Sequence, residues 1–157
     1  MKTCHIFCAA AFAGLLERPA QDDWILAADG GLRHLQALGL EPTGILGDFD
    51  SLGYTPQGPQ VDRFPVEKDD TDSMLAVKAG LQAGYRRFLL YGALDGPRLD
   101  HTVANFQLLH YLSNRNAYGY LVGSTYLATV LAPGRLRFPP EAGGILSVFC
   151  SGADASG

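Results

Sequence analysis

Cysteine, net charge and long apolar runs are all scarce in this sequence, and each scarcity argues against a class of protein. Only three cysteines occur among 157 residues, and no cysteine–histidine cluster has zinc-site spacing. The formal net charge of −4 gives no electrostatic basis for binding nucleic acid or an anionic membrane. No apolar run approaches the length of a membrane span. We therefore expect a cytoplasmic protein with partners other than nucleic acid or membrane.

The common phosphate-binding and nucleophile motifs are also missing. Neither a Walker A loop, nor a protein-kinase signature, nor a Gly-x-Ser-x-Gly elbow occurs in the chain. If this acidic chain binds phosphates, it must use metal ions, helix N-termini or a few basic side chains.

The N-terminus admits two interpretations. Lys2, the apolar run 6–13 and the small residues within it are typical of a signal peptide. However, the run is short and His5 interrupts the approach to it. A buried first strand is the favoured interpretation.

Apolar runs alternate with amphipathic segments through most of the chain. Short apolar runs predict strands at residues 4–10, 24–28, 43–47, 87–91 and 118–122. Helical spacing predicts helices that begin near Gly30, Thr71 and Leu99, and Gly39 is predicted to end the first of them. The segment 52–65 is interpreted as a surface loop. On the third helix we expect the core face to carry Val103, Phe106, Leu109 and Leu112. The alternation predicts an α/β fold with a mostly parallel, doubly wound sheet and flanking helices.

The pattern changes after residue 123. Short β segments with Pro/Gly turns and no helices between them follow at residues 126–131, 135–138 and 145–150. We interpret residues 1–123 as an α/β nucleotide-binding catalytic domain and 124–157 as the start of an antiparallel β-sandwich domain. Because these strands are too few to close a sheet, we expect the chain to be truncated at its C-terminus.

Two carboxylates follow the third predicted strand, in the stretch Gly47-Asp48-Phe49-Asp50-Ser51. On extended backbone Asp48 and Asp50 point to the same side, as two hard oxygen ligands suited to Mg²⁺. The alternative is an ordinary turn, since Asp and Ser are common turn residues. A further carboxylate, Asp29, precedes Gly30-Gly31 at the end of the second strand, where a simple helix N-cap is the alternative.

Two more polar clusters precede predicted helices. The first is Lys68-Asp69-Asp70-Thr71-Asp72, in which Asp72 is a candidate metal ligand and Lys68 a candidate phosphate contact. Its alternative is favourable interaction of acids with a helix dipole. The second runs from Arg98 through Asp100 and His101 to Asn105. Arg98 stands at the helix entrance, and His101 and Asn105 share a helix face.

Taken in order, these four motifs resemble thiamine pyrophosphokinase over most of the chain. The resemblance implies an enzyme that moves a pyrophosphoryl group from ATP to thiamine, giving thiamine diphosphate and AMP. It also implies an α/β domain followed by a β-sandwich, and a homodimer.

The resemblance carries roles onto particular residues. It implies that Asp48, Asp50 and Asp72 are Mg²⁺ ligands, with Asp29 beside them and one carboxylate, Asp29 or Asp72, accepting the thiamine proton. The implied nucleotide and phosphate contacts are Lys68, Asp69, Thr71, Arg98, Asp100, His101 and Asn105. Ser147 stands where the family has a Ser-x-x-Pro turn near thiamine, although Cys150 replaces the proline.

Two alternatives stay open at this point. One is another Mg²⁺-dependent nucleotide enzyme, such as a phosphatase or a pterin-type pyrophosphokinase. The other is a nucleotide-binding module without catalysis.

Overall fold

A computed structural model of the chain describes residues 1–47, 53, 61–63, 70–132 and 134–151. Among these residues, no helix combines the length and the apolar character needed to cross a bilayer. The strands and helices, in chain order, are β1 (Thr3–Phe7), β2 (Trp24–Ala28), α1 (Leu32–Leu38), β3 (Gly44–Gly47), β4 (Val61–Arg63), α2 (Asp72–Gln82), β5 (Arg87–Tyr91), α3 (Leu99–Ser113), β6 (Tyr118–Val122) and β7 (Leu127–Thr129).

The seven strands form one sheet in the order β4-β3-β2-β1-β5-β6-β7. The first six strands run parallel to their neighbours, and β7 pairs antiparallel with β6. On one side of β1 lie β2, β3 and β4 in that order, and on its other side lie β5, β6 and β7. The predicted α/β sheet with flanking helices is confirmed.

Helices cover both faces of this sheet, which is why its strands are continuously apolar rather than alternating. One face packs against α2 and α3, with a core that includes Cys4, Ile6, Leu26, Val77, Phe88, Leu90, Leu108 and Leu112. The other face packs against α1, with a core of Phe7, Ala27, Leu32, Leu35, Ile45, Leu89 and Tyr91.

The helix boundaries follow local signals that are visible in the sequence. Thr71 is the N-cap of α2, and its hydroxyl oxygen accepts the Met74 N–H at 3.3 Å. Gly39 ends α1 in the left-handed conformation, with a φ of 64°. Both boundaries agree with the sequence-based prediction.

Close contact between α1 and β1 depends on Gly31, the residue before α1. A Cβ atom at this position would lie 1.8 Å from the carbonyl oxygen of Phe7, a backbone atom that cannot rotate away. The backbone of Gly31 itself is helical, with a φ of −61°. This glycine is therefore required by space, not by backbone conformation.

The predicted core face of α3 is wrong for two of its four members. Val103 and Phe106 are 49% and 42% exposed, whereas Leu109 and Leu112 are buried as expected. The buried stripe instead begins at Asn105 and continues through Leu108, Leu109 and Leu112. The prediction assumed that the polar residue faced solvent, but hydrogen bonds inside the protein make its burial possible.

Two loop and strand predictions also need correction. The segment 52–65 contains a short strand, β4, which pairs with the edge of β3 although its three residues carry no periodic signal. Of the three β segments predicted after residue 123, the first forms as β7 and extends the same sheet. The described residues 134–151, which include the other two segments, contain no helix or strand. A strand needs a hydrogen-bonding neighbour, and these two segments have none in the described part of the chain.

A buried polar cluster lies at the opposite end of the sheet from the carboxyl ends of the strands. The His5 side chain is fully buried, and its Nε2 lies 3.2 Å from an Asp23 carboxylate oxygen. Asp23 also accepts hydrogen bonds from the backbone N–H groups of Thr3 and Ala20. Nδ1 of His5 has no partner among the described residues. This cluster fastens the segment before β2 to the first strand.

Burial lowers the pKa of His5 below its ordinary value, although Asp23 opposes the shift. The folded state therefore disfavours a proton that the unfolded chain accepts near pH 6.5, so stability is lost as the pH falls below about 6.5. We expect the free energy of unfolding of the wild-type chain to fall from pH 7 to pH 5 more steeply than that of His5→Gln. Urea unfolding at several pH values measures both slopes, and parallel curves would contradict the prediction.

Candidate active site

The candidate site lies at the edge of the sheet where the parallel strands end. In an open α/β sheet, ligands bind outside the carboxyl ends of the strands where the strand order reverses. Here that point lies between β1 and β5. Beyond both strands, backbone hydrogen bonds continue from Cys8 N–H to the Tyr91 carbonyl at 2.8 Å and from Ala10 N–H to the Gly92 carbonyl at 2.9 Å. The segments that follow β1 and β5 are therefore held together at this edge.

Asp29 is a buried and strained carboxylate at the end of β2. It is only 9% exposed, and its φ of 48° is in the left-handed region that residues other than glycine rarely adopt. Its side chain caps neither the short 3₁₀ turn that it begins nor α1, so the N-cap alternative is wrong. No described residue reaches its buried Oδ1 atom. Buried carboxylate oxygens are ordinarily paired, and such exceptions cluster at functional sites.

The end of β3 lies directly beside Asp29. A Cβ atom at Gly47 would lie 3.1 to 3.2 Å from backbone and Cβ atoms of Asp29, and the φ of 147° is one that side chains disfavour, so glycine is favoured there. The sequence continues from Gly47 into the predicted metal ligands Asp48 and Asp50, which lie outside the described residues. The strand that leads to them thus ends next to the unpartnered carboxylate.

The N-terminus of α2 brings Asp72 to the same edge of the sheet. Burial raises the pKa of the Cys8 thiol to about 12, and the negative charge of Asp72 adds to the shift. Asp72 therefore lies near the end of β1, and Cys8 is a neutral thiol without nucleophilic character. The predicted phosphate contacts Lys68 and Asp69 lie outside the described residues. Their neighbour Asp70 instead binds Lys78 on α2, at 2.5 Å.

Arg98 and Asp100 form a two-bond ion pair at the start of α3. The guanidinium donates from Nε to Oδ1 at 2.9 Å and from Nη2 to Oδ2 at 2.5 Å. Both side chains are more than half exposed, and the hydrogen bonds from Arg98 lower the pKa of Asp100 to about 2. His101, the next residue, is exposed. These three predicted ligand contacts are accessible, and Arg98 remains charged beside a helix N-terminus that favours anions.

Two of the predicted nucleotide contacts have their side chains engaged within the protein. The Thr71 hydroxyl is the N-cap of α2 and lies 3.1 Å from the Ser73 hydroxyl. Asn105 is 5% exposed, accepts the Ser73 hydroxyl at 2.8 Å and donates to the Ala93 carbonyl at 2.7 Å. Asn105 therefore has both amide atoms paired inside the protein, whereas Thr71 remains partly exposed.

Asp95 is a residue at this edge that the sequence-based prediction missed. It lies in the loop after β5 with a left-handed φ of 58°. Its carboxylate accepts the Tyr126 hydroxyl at 2.6 Å and the Ser124 N–H at 3.0 Å. The hydrogen bond from Tyr126 lowers the pKa of this carboxyl group. Asp95 thereby joins the loop after β5 to the turn between β6 and β7. No local sequence motif predicts this contact.

Two further predictions concern Ser147 and a metal centre. Ser147 lies in the exposed C-terminal segment. Within the described residues, no group of three or more His, Cys, Asp and Glu side chains has the arrangement of a metal centre. Two of the three predicted metal ligands lie outside those residues, so of the four carboxylates predicted around a metal the structure describes only Asp29 and Asp72.

The sequence and fold are similar to known proteins. Residues 17–121 match the family model described as "Thiamin pyrophosphokinase, catalytic domain". The structure of a thiamine pyrophosphokinase from Bacillus subtilis superposes with a TM-score of 0.67 at 25% identity, over 77% of this chain and 60% of that one. One from Geobacillus thermodenitrificans has a TM-score of 0.62 at 28% identity, over 74% and 58%.

A thiamin pyrophosphokinase family protein from Enterococcus faecalis shares the fold, with a TM-score of 0.68 at 24% identity over 85% of this chain and 67% of that one. No curated protein sequence matches. The chain spans about three fifths of the length of the Bacillus and Geobacillus structures. The family match covers more than half of the 157 residues and includes β2 to β5 and α1 to α3, whereas β1 precedes it. The chain therefore belongs to the thiamin pyrophosphokinase catalytic-domain family.

Proposed function

We propose that this chain carries the catalytic α/β part of a thiamine pyrophosphokinase. In this reaction the hydroxyl oxygen of thiamine attacks the β-phosphorus of ATP, and the bond from that phosphorus to the oxygen bridging the α- and β-phosphates breaks. The products are thiamine diphosphate and AMP, and the hydroxyl proton leaves to a base. The family match supports the reaction class, and the arrangement at the carboxyl ends of β1, β2, β3 and β5 supports the location of the site.

The observation that carries the proposal is the unpartnered Oδ1 of Asp29. A buried carboxylate oxygen without a hydrogen-bond donor is costly unless a cation approaches it. Mg²⁺ prefers hard carboxylate oxygens, so Asp29 fits such an ion. Asp72, and Asp48 and Asp50 in the sequence beyond β3, would complete the ligand set. When bound, the ion supplies positive charge that offsets the negative charge of the triphosphate.

The remaining polar groups have roles that their positions support. Arg98 stands at the N-terminus of α3 with His101, where both can bind phosphate oxygens, and Asp100 holds the guanidinium in place until then. Lys68 would add a second cation. Asp29 or Asp72 would accept the proton of the thiamine hydroxyl. Positioning and charge neutralisation supply most of the catalysis of phosphoryl-type transfer, so these groups suffice.

Product identity tests the proposed reaction directly. The chain is incubated with Mg²⁺ and ATP, with and without thiamine, and AMP is separated from ADP by chromatography. We expect AMP to form only when thiamine is present, because the β-phosphorus is attacked. Formation of ADP, or release of phosphate without thiamine, would instead assign the chain to the phosphatase or kinase alternatives.

Removing the Asp29 charge tests the metal site without relying on turnover. Asparagine tolerates the left-handed backbone conformation of this position. Because Asp29→Asn also removes a buried charge without a partner, we expect the free energy of unfolding without metal to be unchanged or higher. A ligand present at 100 times its Kd raises the free energy of unfolding of the protein that binds it by about 2.7 kcal/mol. We expect Mg²⁺ with a non-hydrolysable ATP analogue to raise the melting temperature of wild type but not of Asp29→Asn.

Asp22→Asn is the matched control for this experiment, because its side chain is 75% exposed and pairs only loosely with Lys2 at 3.9 Å. It should retain the full rise in melting temperature. An equal rise in Asp29→Asn and in wild type would remove Asp29 from the metal site.

We also infer that the working protein is a homodimer and that the residues after β7 belong to its thiamine-binding β part. Large apolar side chains are exposed on α3 and in the C-terminal segment, among them Leu99, Val103, Phe106, Ile145 and Phe149. A surface of this kind is typical of an interface. Sedimentation equilibrium should give twice the 16.8 kDa chain mass, and it should give the monomer mass for Phe106→Glu. A monomeric wild type would contradict the dimer.

A further inference from the structure

The side chain of Asn105 joins three elements from a buried position inside the site edge. Its Nδ2 donates to the Ala93 carbonyl at 2.7 Å, in the loop that leads from β5 to Arg98. Its Oδ1 accepts the Ser73 hydroxyl at 2.8 Å, in the first turn of α2. Asn105 itself lies on α3, seven residues after Arg98. One amide group therefore contacts the loop and α2 while it is anchored on a third element.

The chain of hydrogen bonds continues from Ser73 to the start of α2. The Ser73 hydroxyl lies 3.1 Å from the hydroxyl of Thr71, which caps the helix. Asp72 lies between these two residues in sequence, in the first turn. The network thus begins around a proposed metal ligand and ends on the backbone of the loop that presents Arg98.

Only an amide side chain can complete this network as it stands. The Ala93 carbonyl needs a donor and the Ser73 hydroxyl needs an acceptor, and Asn offers one of each from a single rigid plane. A carboxylate would place an oxygen against the Ala93 carbonyl, and a leucine would leave both partners unsatisfied. At 5% exposure Asn105 does not reach a ligand itself.

We propose that Asn105 is a positioning residue, which through Ser73 and the Ala93 carbonyl holds the first turn of α2 and the Arg98 loop at a fixed separation. The consequence for ligand binding rests on the proposed function, in which Asp72 holds the metal and Arg98 the phosphates of one nucleotide. Both groups must meet the same ligand, so a change in their separation weakens binding. This role differs from the direct nucleotide contact that the family resemblance implies for Asn105.

The test uses Ser73, because its removal breaks the network at a partly exposed position without opening a cavity in the core. Ser73→Ala loses the hydroxyl, whereas Ser73→Thr keeps it and serves as the rescue variant. Gln107→Ala is the matched control, since Gln107 is exposed on the same helix as Asn105. Hydrogen-exchange mass spectrometry follows the amides of residues 92–98, and calorimetric titration measures affinity for Mg²⁺ with a non-hydrolysable ATP analogue.

We expect Ser73→Ala to increase exchange in the 92–98 loop, which is distant in sequence and connected to Ser73 through Asn105. We also expect its affinity for the Mg²⁺–analogue complex to fall about 5- to 10-fold, the loss typical of one hydrogen bond. Ser73→Thr should restore both values, and Gln107→Ala should match wild type in both.

The outcomes separate this proposal from the proposed function. If exchange in the 92–98 loop is the same in Ser73→Ala as in wild type, the positioning role is overturned, whatever the protein binds. Increased exchange with unchanged affinity overturns it as well, because the coupling then does not reach the ligand. If loop exchange increases in Ser73→Ala but the wild type binds no Mg²⁺–analogue complex, the coupling through Asn105 is supported and the nucleotide site is refuted instead.

Discussion

In a sheet of parallel strands, each connection must bring the chain from the carboxyl end of one strand back to the opposite edge of the sheet, where the next strand begins. This constraint places all the carboxyl ends of β1 to β6 on one edge and all the N-termini of the crossing helices above it. Because the strand order turns back at β1, the connections leave that edge in opposite directions and open a crevice between β1 and β5. The candidate site is thus a consequence of the connectivity before any particular side chain is considered.

Two buried polar side chains at this edge illustrate opposite solutions to the same problem. Asn105 satisfies both of its amide atoms within the protein and gains order for three elements. Asp29 leaves a carboxylate oxygen without a described partner and adopts a strained backbone. A buried polar network with all its hydrogen bonds formed holds its elements in a fixed geometry. A buried polar group without a partner lowers the stability of the fold, and such groups are found at ligand-binding sites. The difference is what separates a positioning residue from a candidate ligand at this site.

Much of the fold could be predicted from the sequence, because buried parallel strands are continuous apolar runs and helix ends have specific residues. The bounds of β2, β5 and β6, the cap at Thr71 and the stop at Gly39 all agree with the prediction. The short strand β4 could not be found, since its pairing depends on the edge of β3. Conversely, the segments 135–138 and 145–150 have the composition of strands but form none, because no strand pairs with them in the described part of the chain.

The site was predictable in its motifs but not in its contacts. The sequence places Asp29 after a strand, yet only the structure distinguishes a buried unpartnered carboxylate from a helix cap. The sequence implies a ligand contact for Asn105 because it shares a helix face with His101 and belongs to the family motif, whereas its internal partners lie 12 and 32 positions away in the chain. Asp95 was missed for the same reason, because its partners lie on a hairpin that begins more than twenty residues later.

The position of β1 at the centre of the sheet has a consequence for biosynthesis. Thr3 pairs with Arg87, so one side of the first strand stays open until most of the α/β unit has left the ribosome. At ordinary rates of translation, the interval between the synthesis of β4 and that of β5 is roughly one to a few seconds. Throughout that time the nascent chain presents a bare apolar strand to other unfinished chains. An unpaired strand edge of this kind favours pairing with other chains, so the risk of aggregation is greatest before β5 has been synthesised.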